Sequence, residues 1–133
     1  MKTGFACGIF DLFHPGHVLM LKECKQNCDY LVVALNTADN LSADKNKPIF
    51  TIVERKMIIE SCKFVDEVLT YNSEQDLLDL IIKLKPDIRF LGEDYKDMPI
   101  TGADLNIKIF YINRGHGYST SNILKKITAQ YNK

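Results

Sequence analysis

The sequence predicts an α/β domain in which helices cover both faces of a doubly wound, mostly parallel five-stranded sheet. Three observations carry that prediction. Short apolar runs bounded by turn formers alternate with longer stretches of helical periodicity. Hydroxyl residues stand at the start of the later helical stretches, where N-caps belong. The 133 residues show no repeat, low-complexity tract or Gly/Ser linker, so a single domain over 1–133 is expected.

Residues 3–9 and 30–36 read as buried strands, being short, apolar and bounded by turn formers. Between them Val18, Leu21, Cys24 and Cys28 recur at helical spacing. Thr51 with Glu54 forms a capping box ahead of Met57, Ile58, Ile59 and Cys62, which starts a second helix. Residues 65–70 read as a third strand. Ser73 opens a helix through Leu77, Leu78, Ile81 and Leu84, and Pro86 stops it. Two further strands are expected at 88–91 and 107–112. Residues 119–121 cap a last helix carrying Ile123, Leu124 and Ile127. The order β-α-β-α-β-α-β-β-α implies right-handed crossovers and a Rossmann-like domain, which binds ligands beyond the carboxyl ends of its strands at the switch in strand order.

Seventeen basic residues balance seventeen acidic ones. That zero net charge gives no footprint for nucleic acid or an anionic membrane, so any polyanion bound must be small and held locally. The uninterrupted aliphatic run at 31–35 is far short of a membrane span. The N-terminus reads as carrying no signal peptide, and the thiols Cys7, Cys24, Cys28 and Cys62 are expected to be reduced in a cytoplasmic protein. Cys24 and Cys28 lack a second suitably spaced pair, so they read as core rather than as zinc ligands.

Three segments follow three strands. Gly8-Ile9-Phe10-Asp11-Leu12-Phe13-His14-Pro15-Gly16-His17 places two histidines on one side of a helix's first turn. A helix N-terminus offers free N–H groups and partial positive charge, and two imidazoles there add donors for a phosphate. Gly8 and Gly16 allow close backbone approach. A lone histidine would more often pack or cap; a pair in this setting points to anion binding. Arg114-Gly115-His116-Gly117-Tyr118-Ser119-Thr120-Ser121 reads as a second phosphate cradle or a capped loop. Gly92-Glu93-Asp94-Tyr95 alone would be a solvated acidic turn. All three converge on one edge of the sheet.

The first segment resembles the H-x-G-H signature of the small nucleotidyltransferases, and Arg114 to Ser121 resembles their second signature, R-T-x-G-I-S-T. The resemblance covers almost the whole chain and is nearest to stand-alone glycerol-3-phosphate cytidylyltransferases. It includes the opening decapeptide, Asp29-Tyr30-Leu31-Val32-Val33-Ala34, Glu54-Arg55-Lys56, Val65-Asp66-Glu67-Val68 and the 92–95 turn. Ile9 and Gly115 stand where the family usually has Thr, and Tyr118 where it has Ile. Residues 92–104 also look like the equivalent part of adenylyltransferases that make ADP-heptose.

The resemblance implies transfer of CMP from CTP to a small phosphorylated alcohol such as glycerol 3-phosphate, by in-line attack with release of pyrophosphate. Alternatives are ATP with a sugar phosphate, or a non-catalytic nucleotide-binding module. In this reading His14 and His17 hold the α- and β-phosphate region, assisted by Arg114 and by Lys45 or Lys47 closing over the leaving group. Gly8, Ile9, Phe10, Gly16, Gly92, Asp94, Gly117, Tyr118, Ser119 and Thr120 are expected around the nucleotide, with Asp11, Arg55 and Tyr95 on the acceptor. An arginine fork suits phosphate, which singles out Arg55 and Arg114. His116 is expected to modulate specificity from its loop. Tyr95 and Tyr118 leave choline phosphate as a weaker acceptor. Mg²⁺ is expected with the triphosphate, without a dedicated carboxylate cage. A homodimer is expected by family analogy only.

Overall fold

The computed structural model describes residues 1–39 and 47–131. Its elements run β1 (Thr3–Gly8), α1 (Pro15–Gln26), β2 (Tyr30–Asn36), α2 (Ile52–Glu60), β3 (Glu67–Tyr71), α3 (Glu74–Leu84), β4 (Ile88–Gly92), β5 (Lys108–Ile112) and α4 (Thr120–Tyr131). The strands form one sheet in the order β3-β2-β1-β4-β5, and every pairing is parallel. The expected sheet is therefore present and wholly parallel. None of the helices among the described residues is long and apolar enough to cross a membrane.

Both faces of the sheet are covered, which explains why β2 reads as a continuous apolar run. Ala6, Leu31, Val33 and Leu35 pack with Leu21 and Cys24 of α1 and Ile59 of α2. On the other face Phe5, Val32 and Ala34 meet Leu77 and Ile81 of α3. Capping boxes at Thr51 and Ser73 start α2 and α3 where expected.

Several boundaries differ from the sequence reading. β3 begins at Glu67 rather than at 65, because Val65 N–H closes a turn on Cys62 and the Asp66 carboxylate accepts from Leu31 N–H and Lys25. Cys28 lies beyond α1, whose C-cap is Asn27; its thiol fills the space beside Gly4, where a Cβ would stand 2.8 Å from Sγ. Val18 points outward. α4 is present where expected, but no residue of it is buried, and Leu124 and Ile127 are 38% and 48% exposed. It follows the half-buried edge strand β5, and its apolar side is not absorbed into either core cluster.

The ladder explains where a crevice opens. β1 pairs with β2 along six residues, from Thr3↔Tyr30 to Gly8↔Leu35. With β4 it pairs only at Gly4↔Ile88 and Phe5↔Arg89. Beyond those two pairs the strands part, at the switch in strand order: the chain runs outward from β1 through β2 to β3, then crosses back to β4 on the other side of β1.

Candidate active site

The crevice holds a cavity of about 210 Å³ at the carboxyl ends of β1, β4 and β5. Cys7, Gly8, Ile9 and Phe10 form one wall, and His14, Gly16 and His17 of the α1 entrance form the floor. Tyr95, Arg114, Tyr118 and Thr120 close the opposite side. Most residues expected from sequence around phosphates thus meet in one place.

His14 is the N-cap of α1, and its Nδ1 accepts from Gly16 N–H at 3.0 Å. The backbone N–H of His14 in turn donates to Nδ1 of His17 at 3.3 Å. Two histidines thereby play the two roles that Ser/Thr and Glu play in an ordinary capping box. In a neutral imidazole the nitrogen that accepts carries no proton, so this pattern assigns the proton to Nε2 of both rings. Neutrality follows from the surroundings. Burial holds the His14 pKa below its ordinary value, aided by His116 and Arg114. Burial, then the neighbouring His14, pushes His17 down to about 4. The rings stack with centroids 3.9 Å apart, and Phe13 and Phe10 hold the far side of His17. The cleft is thus offered two oriented, uncharged N–H donors.

Gly16 is required for that arrangement. A Cβ there would lie 2.8 Å from Cε1 of His14 and 2.9 Å from Cβ of Tyr118. Phe10 and Leu12 adopt left-handed backbone with φ of 52°. Such conformations in non-glycine residues persist only where the surroundings impose them, and they concentrate at binding sites.

The second loop is more open. Ser119 Oγ accepts from Asn122 N–H at 3.1 Å at the start of α4. Thr120 Oγ1 reaches the Asp11 carbonyl at 3.4 Å, tying the two loops together. Gly117 has φ of 79° with nothing near its would-be Cβ. Arg114 approaches Asp94 at 3.5 Å, both about half exposed. Asp94 sits over Gly92, where a Cβ would stand 2.5 Å from Oδ1. Gly92, Asp94, Gly117 and Ser119 therefore shape the rim of the cavity without lining it.

A second cavity of about 540 Å³ continues past His17 and Thr120 to Lys47, Ile49, Ser121 and Leu124. Lys47 is exposed there. Lys45, the alternative loop lysine, lies outside the described residues.

Two expected acceptor ligands are differently employed. Arg55 is 1% exposed and donates to the backbone carbonyls of Ile9, Asn36, Thr37 and Phe50 at 2.7–3.1 Å. With four of its five N–H donors on carbonyls and the side chain buried, Arg55 is not presented to a phosphate; it fastens the β1 and β2 ends to α2. Asp11 accepts from Ile49 N–H at 2.7 Å and Phe50 N–H at 3.0 Å, so its carboxylate fixes the connection into α2. Tyr95, by contrast, lines the cleft and is 44% exposed. Cys7, Met20 and Ile112 also line the cleft and were not assigned to the site from sequence, because nothing local distinguishes them from core residues.

Residues 5–126 match the family described as cytidylyltransferase-like. The chain is 38% identical over 128 residues to a bifunctional protein HldE of Campylobacter jejuni, covering 95% of this chain and 28% of that protein. An HldE of Paramagnetospirillum magneticum is 37% identical over 132 residues, with 27% of its length covered. The chain thus spans just over a quarter of these relatives. The crystal structure of a lipopolysaccharide core biosynthesis protein from Thermoplasma volcanium superposes with a TM-score of 0.68 at 30% identity, over 85% of this chain and 95% of that one. Pantothenate synthetase from Thermus thermophilus shares the fold, with a TM-score of 0.61 at 12% identity over 85% of this chain and 56% of that one.

Proposed function

Because the chain belongs to the cytidylyltransferase-like family of nucleotidyltransferases, we propose that it moves a nucleoside monophosphate from a nucleoside triphosphate onto a phosphorylated acceptor. An acceptor phosphate oxygen forms the bond to the α-phosphorus, and the α–β phosphoanhydride bond breaks to release pyrophosphate. The observation that carries the reading is the histidine pair, with both Nδ1 atoms occupied by backbone N–H groups. Two preorganised Nε2–H donors beside a helix N-terminus suit charge developing on phosphoryl oxygens, and they need no reorientation as the reaction proceeds. Arg114 and Thr120 face them across the cleft. The adjoining cavity, with Lys47 and Ser121, receives the departing pyrophosphate.

Mg²⁺ accompanies the triphosphate in this reading and neutralises its charge. Among the described residues no three His, Cys, Asp or Glu side chains gather to hold a metal ion.

For the substrates, ATP and a sugar phosphate have the better support. Residues 92–104 resemble adenylyltransferases that make ADP-heptose, and a similar structure is described as a lipopolysaccharide core biosynthesis protein. CTP with glycerol 3-phosphate is the second reading, favoured by the opening decapeptide. Pyrophosphate release measured with each nucleotide against each acceptor tests both. Turnover with ATP and a sugar 1-phosphate exceeding that with CTP and glycerol 3-phosphate is expected. The reverse ranking would reassign the substrates, and no release with any pair would remove the transferase reading.

A further inference from the structure

We propose that Arg89, outside the histidine site, is a positioning residue that anchors the cleft's Tyr95 wall through Thr101. This deepens the transferase reading, since the wall in question borders the same cavity.

Arg89 sits in the middle of the sheet, opposite Phe5 on β1 and Ile109 on β5. It is 3% exposed. No carboxylate among the described residues pairs with it, and its Nε has no hydrogen-bond partner there. Its directed bond is from Nη1 to the Thr101 carbonyl at 2.6 Å. Burying an unpaired guanidinium is costly, and an apolar side chain would fill the same space more cheaply. What the charge supplies at this position is a strong, oriented donor to one backbone carbonyl.

A second contact meets the same residue. The Thr101 hydroxyl donates to the Glu74 carboxylate at the start of α3. Gly102, with φ of 76°, brings the backbone in; a Cβ there would stand 3.1 Å from Leu105 and 3.4 Å from Nη1 of Arg89. Charged side chains from β4 and α3 thus converge on a single loop residue.

The loop needs such an anchor. Residues 93–107 connect β4 to β5 with only two short 3₁₀ turns, Glu93–Tyr95 and Ala103–Leu105. Residues 93–99 are all exposed, so packing does not fix them. Connections this long without regular structure are usually functional. Tyr95 projects from the near end onto the cleft. The near end is tied by Glu93 to Arg114 N–H, and the middle is held at Thr101 by Arg89 and Glu74; with both ties in place this latch sets where Tyr95 stands when substrate enters.

The test uses Arg89→Met, Arg89→Lys and Thr101→Val in the full chain. Backbone hydrogen exchange reads the loop, and steady-state kinetics with the active substrate pair read the cleft. For Arg89→Met, exchange across 93–107 should quicken by about tenfold while β1 and β2 keep their protection. KM for one substrate should rise by about tenfold with kcat within about threefold of the parent, the pattern expected for a displaced binding wall. Arg89→Lys, which keeps a donor, should recover part of both effects. Thr101→Val keeps the carbonyl that Arg89 binds and removes only the bond to Glu74, so it should move both measurements in the same direction and by less; Arg89→Lys decides the matter if Arg89→Met does not fold. Unchanged loop exchange, a uniform rise over the whole sheet, or an unchanged KM beside a loosened loop would overturn the proposal. If no substrate pair turns over, the transferase reading fails; loop exchange together with nucleotide affinity by equilibrium dialysis then judges the latch.

Discussion

At the β1–α1 junction the polar atoms facing the cleft are held by the chain itself: His14 by Gly16 N–H, His17 by His14 N–H, with the two rings stacked on each other and His17 also against Phe10 and Phe13. At the β5–α4 junction Arg114 is half exposed and joined to Asp94 at only 3.5 Å, while Gly117 has open space around it. One junction is finished before a ligand arrives; the other is held by long bonds between exposed groups that a ligand can displace. A transferase benefits from the division. The groups that meet developing charge must not reorganise, whereas the groups that admit and release a polyanion must.

The comparison breaks most decisively at the finished junction. Removing one Nε2–H donor by His17→Ala should lower turnover by about 100- to 1000-fold, the usual cost of losing a preorganised oxyanion donor. His14→Ala should do the same and also lose an N-cap, costing about 1 kcal/mol of stability. His14→Asn separates the two roles, because an asparagine oxygen can still accept from Gly16 N–H. Its melting temperature should match the parent while turnover stays low. Full activity in His14→Asn would return His14 to a capping role alone.

Gly16→Ala should rank next. The added methyl meets His14 and Tyr118 at under 3 Å, so the His14 ring must move. Displacement on that scale costs about 100-fold in rate. The matching change at the open junction, Gly117→Ala, meets no atom and strains only a positive φ, at about 1 kcal/mol. Equal losses from the two glycine variants would erase the distinction between the junctions.

A third effect follows from neutrality. Burial keeps His14 below its ordinary pKa and His17 near 4, whereas in the unfolded chain both protonate near 6.5. As pH falls from about 6.5 towards 4, the unfolded chain binds protons that the folded one refuses. Stability is therefore full above 6.5 and declines through this window. Melting temperature against pH should show the decline, and His17→Asn should flatten much of it. Activity should show no step from His17 between pH 8 and 6, since its donor is already in its working form.

Much of this was legible in the residues, and the failures share a cause. β2, α2 and α3 were readable because continuous apolar runs and Ser/Thr caps are local signals. The histidine segment was readable because its chemistry is concentrated in ten consecutive positions. Arg55 was misread because an arginine beside a phosphate site is indistinguishable in sequence from one bonded to four carbonyls; only the fold brings Ile9, Asn36, Thr37 and Phe50 around it. Arg89 was overlooked for the converse reason, since its partner lies twelve residues away across an irregular loop. α4 was readable as a helix, but periodicity reports a face and not what covers it, so its exposure was not legible.

The smallest expected effect lies in the open junction's ion pair. Arg114 and Asp94 are 49% and 57% exposed, and exposed pairs contribute about 0–1 kcal/mol. Asp94→Asn should leave the melting temperature nearly unchanged. Its value lies in what it does to the nucleotide. If Asp94 only occupies Arg114 until a phosphate arrives, releasing the guanidinium should tighten triphosphate binding slightly, by about two- to threefold, and the gain should fade as salt screens the contact. If Asp94 itself accepts a hydrogen bond from the nucleotide, the same substitution should weaken binding instead, because an amide offers a poorer acceptor than a carboxylate. A nucleotide titration of the variant at low and high salt separates the two outcomes. The first would confirm a junction that waits for its ligand, and the second would make Asp94 part of a site already assembled.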